Sequence, residues 1–204
     1  MTETKIVTEI PLVVLHMRPA LDVDEEQFFE FCQLNRDWRI ERNAEGDLEI
    51  MPPTGGETGN RNAAIVAQLW AWALRDGTGH AFDSSTGFVL SNGATRSPDA
   101  AWVSREQLSG LTTEQKQRFL PLCPDVVVEL RSPTDSFAIL QEKMQEYLKN
   151  GARLGWLIDP ESKQVHVYRP DETVRALENP ESISGDHILP GFVLSLKPIW
   201  RPGF

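Results

Sequence analysis

No apolar run in this chain approaches the roughly 20 residues that cross a bilayer. The longest early candidate, Ile10-Pro11-Leu12-Val13-Val14-Leu15, is too short. It also lacks a basic leader and a small-residue cleavage site, so neither a membrane span nor a signal peptide is expected. Cysteine is scarce. Cys32 and Cys123 make no disulfide framework and no metal-ligand cluster, and both are expected as buried thiols in a reducing cytoplasm. The four histidines, His16, His80, His166 and His187, show no ligand spacing. Internal repeats, low-complexity tracts and linkers are absent, so residues 1–204 are expected to form a single domain. Positive charge is short too: 20 Lys and Arg stand against 30 Asp and Glu, a net charge of −10. Affinity for a nucleic-acid backbone comes largely from Lys and Arg at phosphates. Tight, non-specific DNA binding by a monomer is therefore not expected. A local positive cleft, metal-bridged contacts or a dimer groove would have to supply the attraction.

What is present is ordinary for a soluble globular protein: 40% hydrophobic and 25% charged residues, enough for a sizeable core. Residues 1–20 are mixed and suggest a loosely packed arm. Asp22-Val23-Asp24-Glu25-Glu26 reads as a helix start with acids in its first turn. Trp38-Arg39-Ile40-Glu41 and Leu48-Glu49-Ile50-Met51 flank a turn and read as a hairpin. A helix is expected over residues 57–75, with Ala63, Val66, Ala67, Trp70, Ala73 and Leu74 as its apolar face. Residues 80–83 and 87–90 look like strands paired with each other. Ser91-Asn92-Gly93 is a turn, and residues 112–120 read as a short helix. Val126-Val127-Val128-Glu129-Leu130 has the near-continuous apolar character of a central strand covered on both faces. The spacing predicts a helix over 135–150, ending at Asn150-Gly151. Leu154-Gly155-Trp156-Leu157-Ile158-Asp159 then pairs with Val165-His166-Val167-Tyr168, and residues 170–204 form short strands and turns. Trp70, Trp72, Trp102 and Trp156 fall inside these elements and are expected in the core. The whole predicts an α/β (α+β) domain.

Two acids and a lysine stand out against this pattern. Asp99 follows Ser97-Pro98 at the head of one strand, Glu129 sits near the end of another, and Lys143 lies on the helix that follows Glu129. Burying an ionised group at the end of an apolar strand costs free energy. Two carboxylates brought together could hold a hard divalent cation, and such an ion activates water and compensates charge on a phosphate. A lysine close by could orient that water or stabilise the transition state. At about 100° per residue, Lys143 falls beside Tyr147 at the edge of the buried stripe, whereas Lys149 falls on the opposite face. Each residue also has a plainer reading. An Asp after Pro is often a turn residue, a strand-end carboxylate can pair with Arg131 or Arg96, and Lys143 can be an edge lysine of an amphipathic helix. Glu41 could border the site but reads more readily as an exposed strand acid, Tyr147 reads as a core residue with its hydroxyl at the cleft, and Asp159 as a turn residue before Pro160.

At these residues the chain resembles the PD-(D/E)XK nuclease superfamily and, within it, the Uma-two family of restriction-endonuclease-like proteins. The resemblance runs from about residue 24 to about residue 170. It is carried by Met51-Pro52-Pro53-Thr54-Gly55-Gly56-Glu57-Thr58-Gly59, Arg96-Ser97-Pro98-Asp99, Val128-Glu129-Leu130-Arg131-Ser132-Pro133, Lys143-Met144-Gln145-Glu146-Tyr147 and Trp156-Leu157-Ile158-Asp159-Pro160. It implies a restriction-endonuclease-like core, a central mixed sheet flanked by helices, with an N-terminal helix and hairpin. It implies that Asp99 and Glu129 are catalytic metal ligands for Mg²⁺, with Mn²⁺ as a substitute, and that the Leu130 backbone carbonyl is a further ligand. DNA as partner and a homodimer are implied as well. Glu57 matches an acidic position on the first core helix that can assist the metal, or is simply an acid favoured at a helix N-terminus. The chain departs from the superfamily pattern at Arg131, which stands where the motif has lysine. Arginine does not deprotonate and cannot act as a general base, so the resemblance points to Lys143 on the helix instead.

Two functions of different class follow. One is an Mg²⁺-dependent DNA endonuclease in which Asp99, Glu129 and Lys143 are catalytic. The other is a catalytically inactive binding or assembly module, suggested by the net charge and by Arg131.

Overall fold

The structure is a computed structural model that describes residues 12–203; residues 1–11 of the expected arm lie outside the described residues. Val13–Leu15 is a strand, β1, where a loose arm was expected. Asp24 caps the first helix, α1 (Glu25–Leu34), in a reciprocal capping box with Gln27. The hairpin forms as the sequence predicts: β2 (Arg39–Arg42) pairs antiparallel with β3 (Leu48–Met51). β1 covers the other edge of β3, with Val13 opposite Ile50. An uncovered edge strand would leave unpaired backbone groups.

Helix α2 (Gly56–Asp76) ends at the left-handed Gly77, φ 74°, a conformation glycine adopts without steric cost. Its buried face is Ile65, Leu69, Trp72 and Ala73. Trp70 and Leu74, expected in the core, are 56% and 67% exposed. No charged residue occurs from Asn62 to Leu74, so periodicity had no polar face from which to orient the helix.

The chain then forms β4 (Gly79–Asp83), β5 (Phe88–Val89), β6 (Thr95–Arg96) and β7 (Ala100–Ser104). β4 and β5 do not pair with each other, contrary to expectation. β4 runs antiparallel to β7 from Gly79↔Ser104 to Asp83↔Ala100. β5 folds back locally on β6, where the Leu90 N–H donates to the Ala94 carbonyl across the turn at Gly93. The near partner wins for the two-residue strand, and the longer β4 takes the longer ladder. Ser104 caps an unexpected short helix, α3 (Arg105–Ser109). Residues 112–120 contain only a 3₁₀ turn at Gln115–Gln117.

The remaining elements are β8 (Val126–Leu130), α4 (Phe137–Lys149), β9 (Leu154–Asp159), β10 (Gln164–Tyr168), β11 (Arg175–Glu178), β12 (Ser182–Ser184), β13 (Val193–Ser195) and α5 (Lys197–Trp200). The main sheet has the order β11-β10-β9-β8-β7-β4. β8 and β9 are parallel, and the other neighbours are antiparallel. α4 is the crossover that a parallel pair requires. A second sheet has the order β1-β3-β2-β6-β5, and β12 pairs with β13. Among the described residues no helix is long and apolar enough to cross a membrane.

Side-chain alternation divides the main sheet into two cores. Val126, Val128 and Leu130 of β8, with Ala100 and Trp102 of β7, pack toward α2 and the C-terminal segment. Val127 of β8 and Ala101 and Val103 of β7 pack toward Met144 and Tyr147 of α4. Glu129 shares the parity of Val127, so its side chain belongs to the α4 face. At the edge of the sheet the packing admits no methyl group: a Cβ at Gly79 would meet the Trp102 ring and the Val103 carbonyl oxygen. Gly79→Ala is expected to lower stability by about 1–3 kcal/mol through overpacking, measured by urea unfolding.

Candidate active site

The β7–β8 register places the acidic pair. Ala100 stands opposite Val128, and one further step along this antiparallel ladder brings Asp99 opposite Glu129. Pro98 disfavours helical backbone at Ser97 and delivers the chain to β7 extended. Both acids are buried, at 6% and 2% exposure. Asp99 Oδ2 accepts from the Leu130 N–H at 2.8 Å. Its Oδ1 accepts from Arg39 Nη1 at 3.1 Å and from Asn62 Nδ2 at 3.2 Å. Glu129 Oε1 accepts from the Tyr147 hydroxyl at 3.0 Å and lies 3.0 Å from Lys143 Nζ.

Lys143 joins this pair to a third carboxylate. Its Nζ donates to Glu41 Oε1 at 2.9 Å. Glu41 is 1% exposed, not the exposed strand acid the sequence suggested. It lies in β2, where its charge is met by Lys143, Arg39 and Arg96 and by the Ser97 N–H at 3.0 Å. Arg96 also pairs with Glu49 and, at 2.6 Å, with Glu146 of α4. Arg39 further donates to the Ser97 carbonyl. The second sheet thus supplies Arg39, Glu41 and Arg96 to a site whose acids lie on the first.

The charges are unevenly shared. Burial pushes the Glu129 carboxyl up, to about 7, and its acidic neighbours Asp99 and Glu41 add to the rise that Lys143 and Arg39 oppose. Burial also disfavours the charged form of Glu41, but Lys143, Arg39 and Arg96 outweigh it and hold that carboxyl down at about 2. Lys143 loses hydration as well, yet the two glutamates raise its pKa, so it is held as an ammonium ion. Burial beside Glu129 keeps the Tyr147 hydroxyl protonated. A lysine held charged between two carboxylates suits electrostatic stabilisation and water positioning rather than proton abstraction.

The other sequence candidates fall as follows. Leu130 ends β8, and its N–H on Asp99 ties the backbone of the third expected ligand to the first. Glu57 is in the first turn of α2, with a side chain 59% exposed and paired with Arg61 at 3.2 Å. The α2 residue that reaches Asp99 is Asn62. Arg131 turns away from the acids to Asp159 at 3.0 Å and Glu161 at 3.3 Å, and it stacks over Phe137. Asp159 is not in the turn as expected but is the buried last residue of β9, where its carboxylate accepts from the Glu161 N–H and the Ser162 hydroxyl of the turn that follows. Tyr147 is buried with its hydroxyl on Glu129, as expected. Arg39, Asn62 and Arg96 were not singled out as site residues. One signal was available, since Arg39 and Glu41 alternate on the hairpin and so share a face.

Among the described residues, no group of three or more His, Cys, Asp or Glu side chains is arranged to hold a metal ion. Asp99 and Glu129 form a two-carboxylate, all-oxygen set of the kind Mg²⁺ uses with waters and substrate phosphates. Asp99 and Glu129 fit that ion.

The sequence matches the profile of the Uma2 family, described as "Putative restriction endonuclease", over residues 25–197. Its fold is similar to the crystal structure of a protein described as a putative nuclease of the DUF820 family from Anabaena variabilis. The TM-score is 0.70 at 18% identity, covering 88% of this chain and 98% of that one. No curated protein matches the chain.

Proposed function

Because the chain belongs to the Uma2 family of putative restriction endonucleases, we propose that it is a metal-dependent nuclease hydrolysing phosphodiester bonds in DNA. One observation carries the reading: Asp99 and Glu129 stand opposite each other at the ends of adjacent strands, with the Lys143 ammonium 3.0 Å from Glu129. Asp99, Glu129 and the Leu130 carbonyl would hold Mg²⁺, or Mn²⁺ in its place. When bound, that ion supplies Lewis-acid activation of water and compensation for phosphate charge. Lys143, kept protonated by Glu41 and Glu129, positions the attacking water and faces the developing negative charge. Arg39 is the other cation at the acids. Its side chain is 29% exposed, and a guanidinium suits phosphate oxygens. These two cations offset the charge of the buried acids on a chain of net charge −10. A homodimer belongs to the same proposal and is tested by sedimentation velocity.

The test is nicking of supercoiled plasmid and cutting of single-stranded DNA with Mg²⁺, Mn²⁺ or EDTA. Metal-dependent cleavage lost in Asp99→Ala is expected. Cleavage that survives both Asp99→Ala and Glu129→Ala would sink the assignment. The inactive-module reading draws on the closed ion-pair network, in which Arg39 and Lys143 already neutralise the acids. It expects no heat on titration of the folded protein with Mn²⁺.

Arg131 is expected to be dispensable for cleavage. Arg131→Ala should leave the rate within about two-fold, since its partners are Asp159 and Glu161. It should lower stability by about 1–3 kcal/mol, because the buried Asp159 carboxylate loses a charged partner. Parallel cleavage assays and thermal melts measure both.

A further inference from the structure

The Asn62 amide is only half used. Nδ2 donates to Asp99 Oδ1 at 3.2 Å, and this fixes the amide's orientation, because an oxygen turned to that carboxylate would repel it. Oδ1 is then left buried with no hydrogen-bond partner. Buried acceptors are nearly always satisfied, and an orphan points to a water or ion. A second orphan sits on the same carboxylate: Arg39 donates to Asp99 Oδ1 through Nη1, while its buried Nε has no partner. Asp99 Oδ1 is therefore covered by two donors, each standing where positive charge is favoured.

Building on the metal-dependent reading above, we propose that Asn62 is a ligand of the same ion. Its amide turns over once Asp99 Oδ1 no longer needs a donor, and Oδ1 then joins Asp99 and Glu129 as a third side-chain oxygen. An amide oxygen is a hard, neutral donor of the kind Mg²⁺ and Mn²⁺ accept. Neutrality matters here, because Asp99, Glu129 and Glu41 already put three carboxylates in this buried network. A fourth at position 62 would face Asp99 directly in the ion-free protein, whereas an amide can satisfy Asp99 with one end and an ion with the other. The position also accords with the exposed Glu57: α2 reaches the site five residues further along, through Asn62.

The experiment is calorimetric titration of the full chain with Mn²⁺, together with melts in Mn²⁺ and in EDTA, for wild type, Asn62→Leu, Asn62→Ala and Asn62→Asp. Circular dichroism checks the fold of each, and Asn62→Ala adds no volume. Loss of the oxygen in the Leu and Ala variants should weaken Mn²⁺ binding about 10- to 100-fold, the scale at which supporting groups of metal sites act. Asn62→Asp should melt lower than wild type in EDTA, bind Mn²⁺ at least as tightly, and show the larger Mn²⁺-induced rise in melting temperature. Wild-type affinity in the Leu or Ala variant overturns the proposal. So does an Asp variant that loses Mn²⁺ as the Leu variant does, since Nδ2 would then be the working end. Either result leaves the metal-dependent reading standing. Absence of Mn²⁺ binding by wild type overturns both.

Discussion

Asp99→Ala should abolish Mn²⁺ binding and reduce metal-dependent cleavage by about 10³-fold or more. Lewis-acid activation supplies several kcal/mol to a transition state, and each 1.4 kcal/mol is tenfold in rate. Glu129 alone is a poor substitute ligand, because one of its oxygens is engaged by Tyr147 and Lys143. The substitution also strips a buried acceptor from the Leu130 N–H, Arg39 and Asn62. Unsatisfied buried donors cost about 1–3 kcal/mol each, so alanine is expected to lower the melting temperature as well. Asp99→Asn separates the two effects. It keeps an oxygen for the Leu130 N–H and the side-chain volume, and it removes the charge. A folded Asp99→Asn protein with wild-type Mn²⁺ affinity would show that the ion sits elsewhere. Calorimetry and plasmid nicking on the same preparations give the answer.

The sequence made the strands and helices of the main sheet legible where they carry strong periodicity. Val126–Leu130 announced itself as a central strand, and the lysine choice on α4 followed from helical angle alone. The failures have physical causes. α2 is apolar around most of its circumference, so Trp70 could not be told from Trp72. β5 was assigned to the wrong partner because a short strand is governed by its turn, not by its own apolar pattern. At the site, Asp99, Glu129 and Lys143 stood out by residue type together with the family resemblance, and the fold brings the three side chains to one place. Glu41 was misread as exposed because burial of a strand acid depends on partners from elsewhere in the chain. Its partners include Arg96 and Lys143, 55 and 102 residues away. Asn62 gave no signal at all, since neither it nor Asn60 stands out on α2 until Asp99 is seen against one of them.

Arg131 and Lys143 together account for the departure from the usual lysine position. Arg131 follows the end of β8, and it is drawn toward Asp159 and Glu161 beside β9. It is therefore an anchor between parallel strands and their crossover loop. Lys143 reaches the acids from α4, on the face that Glu129 and Tyr147 share. A cation is delivered to Glu129 either way, but delivery from a helix leaves room for Glu41 to clamp it from the second sheet. That clamp makes the lysine a structural element, whatever it does toward a substrate.

Lys143→Met should therefore destabilise the fold by about 3–5 kcal/mol, the scale for removing one partner of a buried ion pair. Glu41 retains Arg39 and Arg96, so the loss falls mainly on Glu129, whose carboxyl is already raised to about 7 with the ammonium in place. The pH dependence follows in sign. An acid whose folded pKa lies above its unfolded value binds more protons when folded, so stability falls as pH rises from about 4.5 through that folded pKa. Without Lys143 the folded pKa of Glu129 moves higher still, and the decline continues past pH 7. The gap between wild type and variant should thus be wider at pH 8 than at pH 5. Glu41 behaves oppositely in wild type: its lowered pKa contributes stability above about 4.5 that is lost as pH falls toward about 2. Lys143→Met/Glu129→Gln should recover more than half of the loss at pH 8, because glutamine still accepts from the Tyr147 hydroxyl and carries no charge. Urea unfolding of wild type, Lys143→Met, Glu129→Gln and the double variant at both pH values completes a double-mutant cycle. Additive losses, or a gap unchanged between pH 5 and 8, would mean that Lys143 does not neutralise Glu129 in the folded protein.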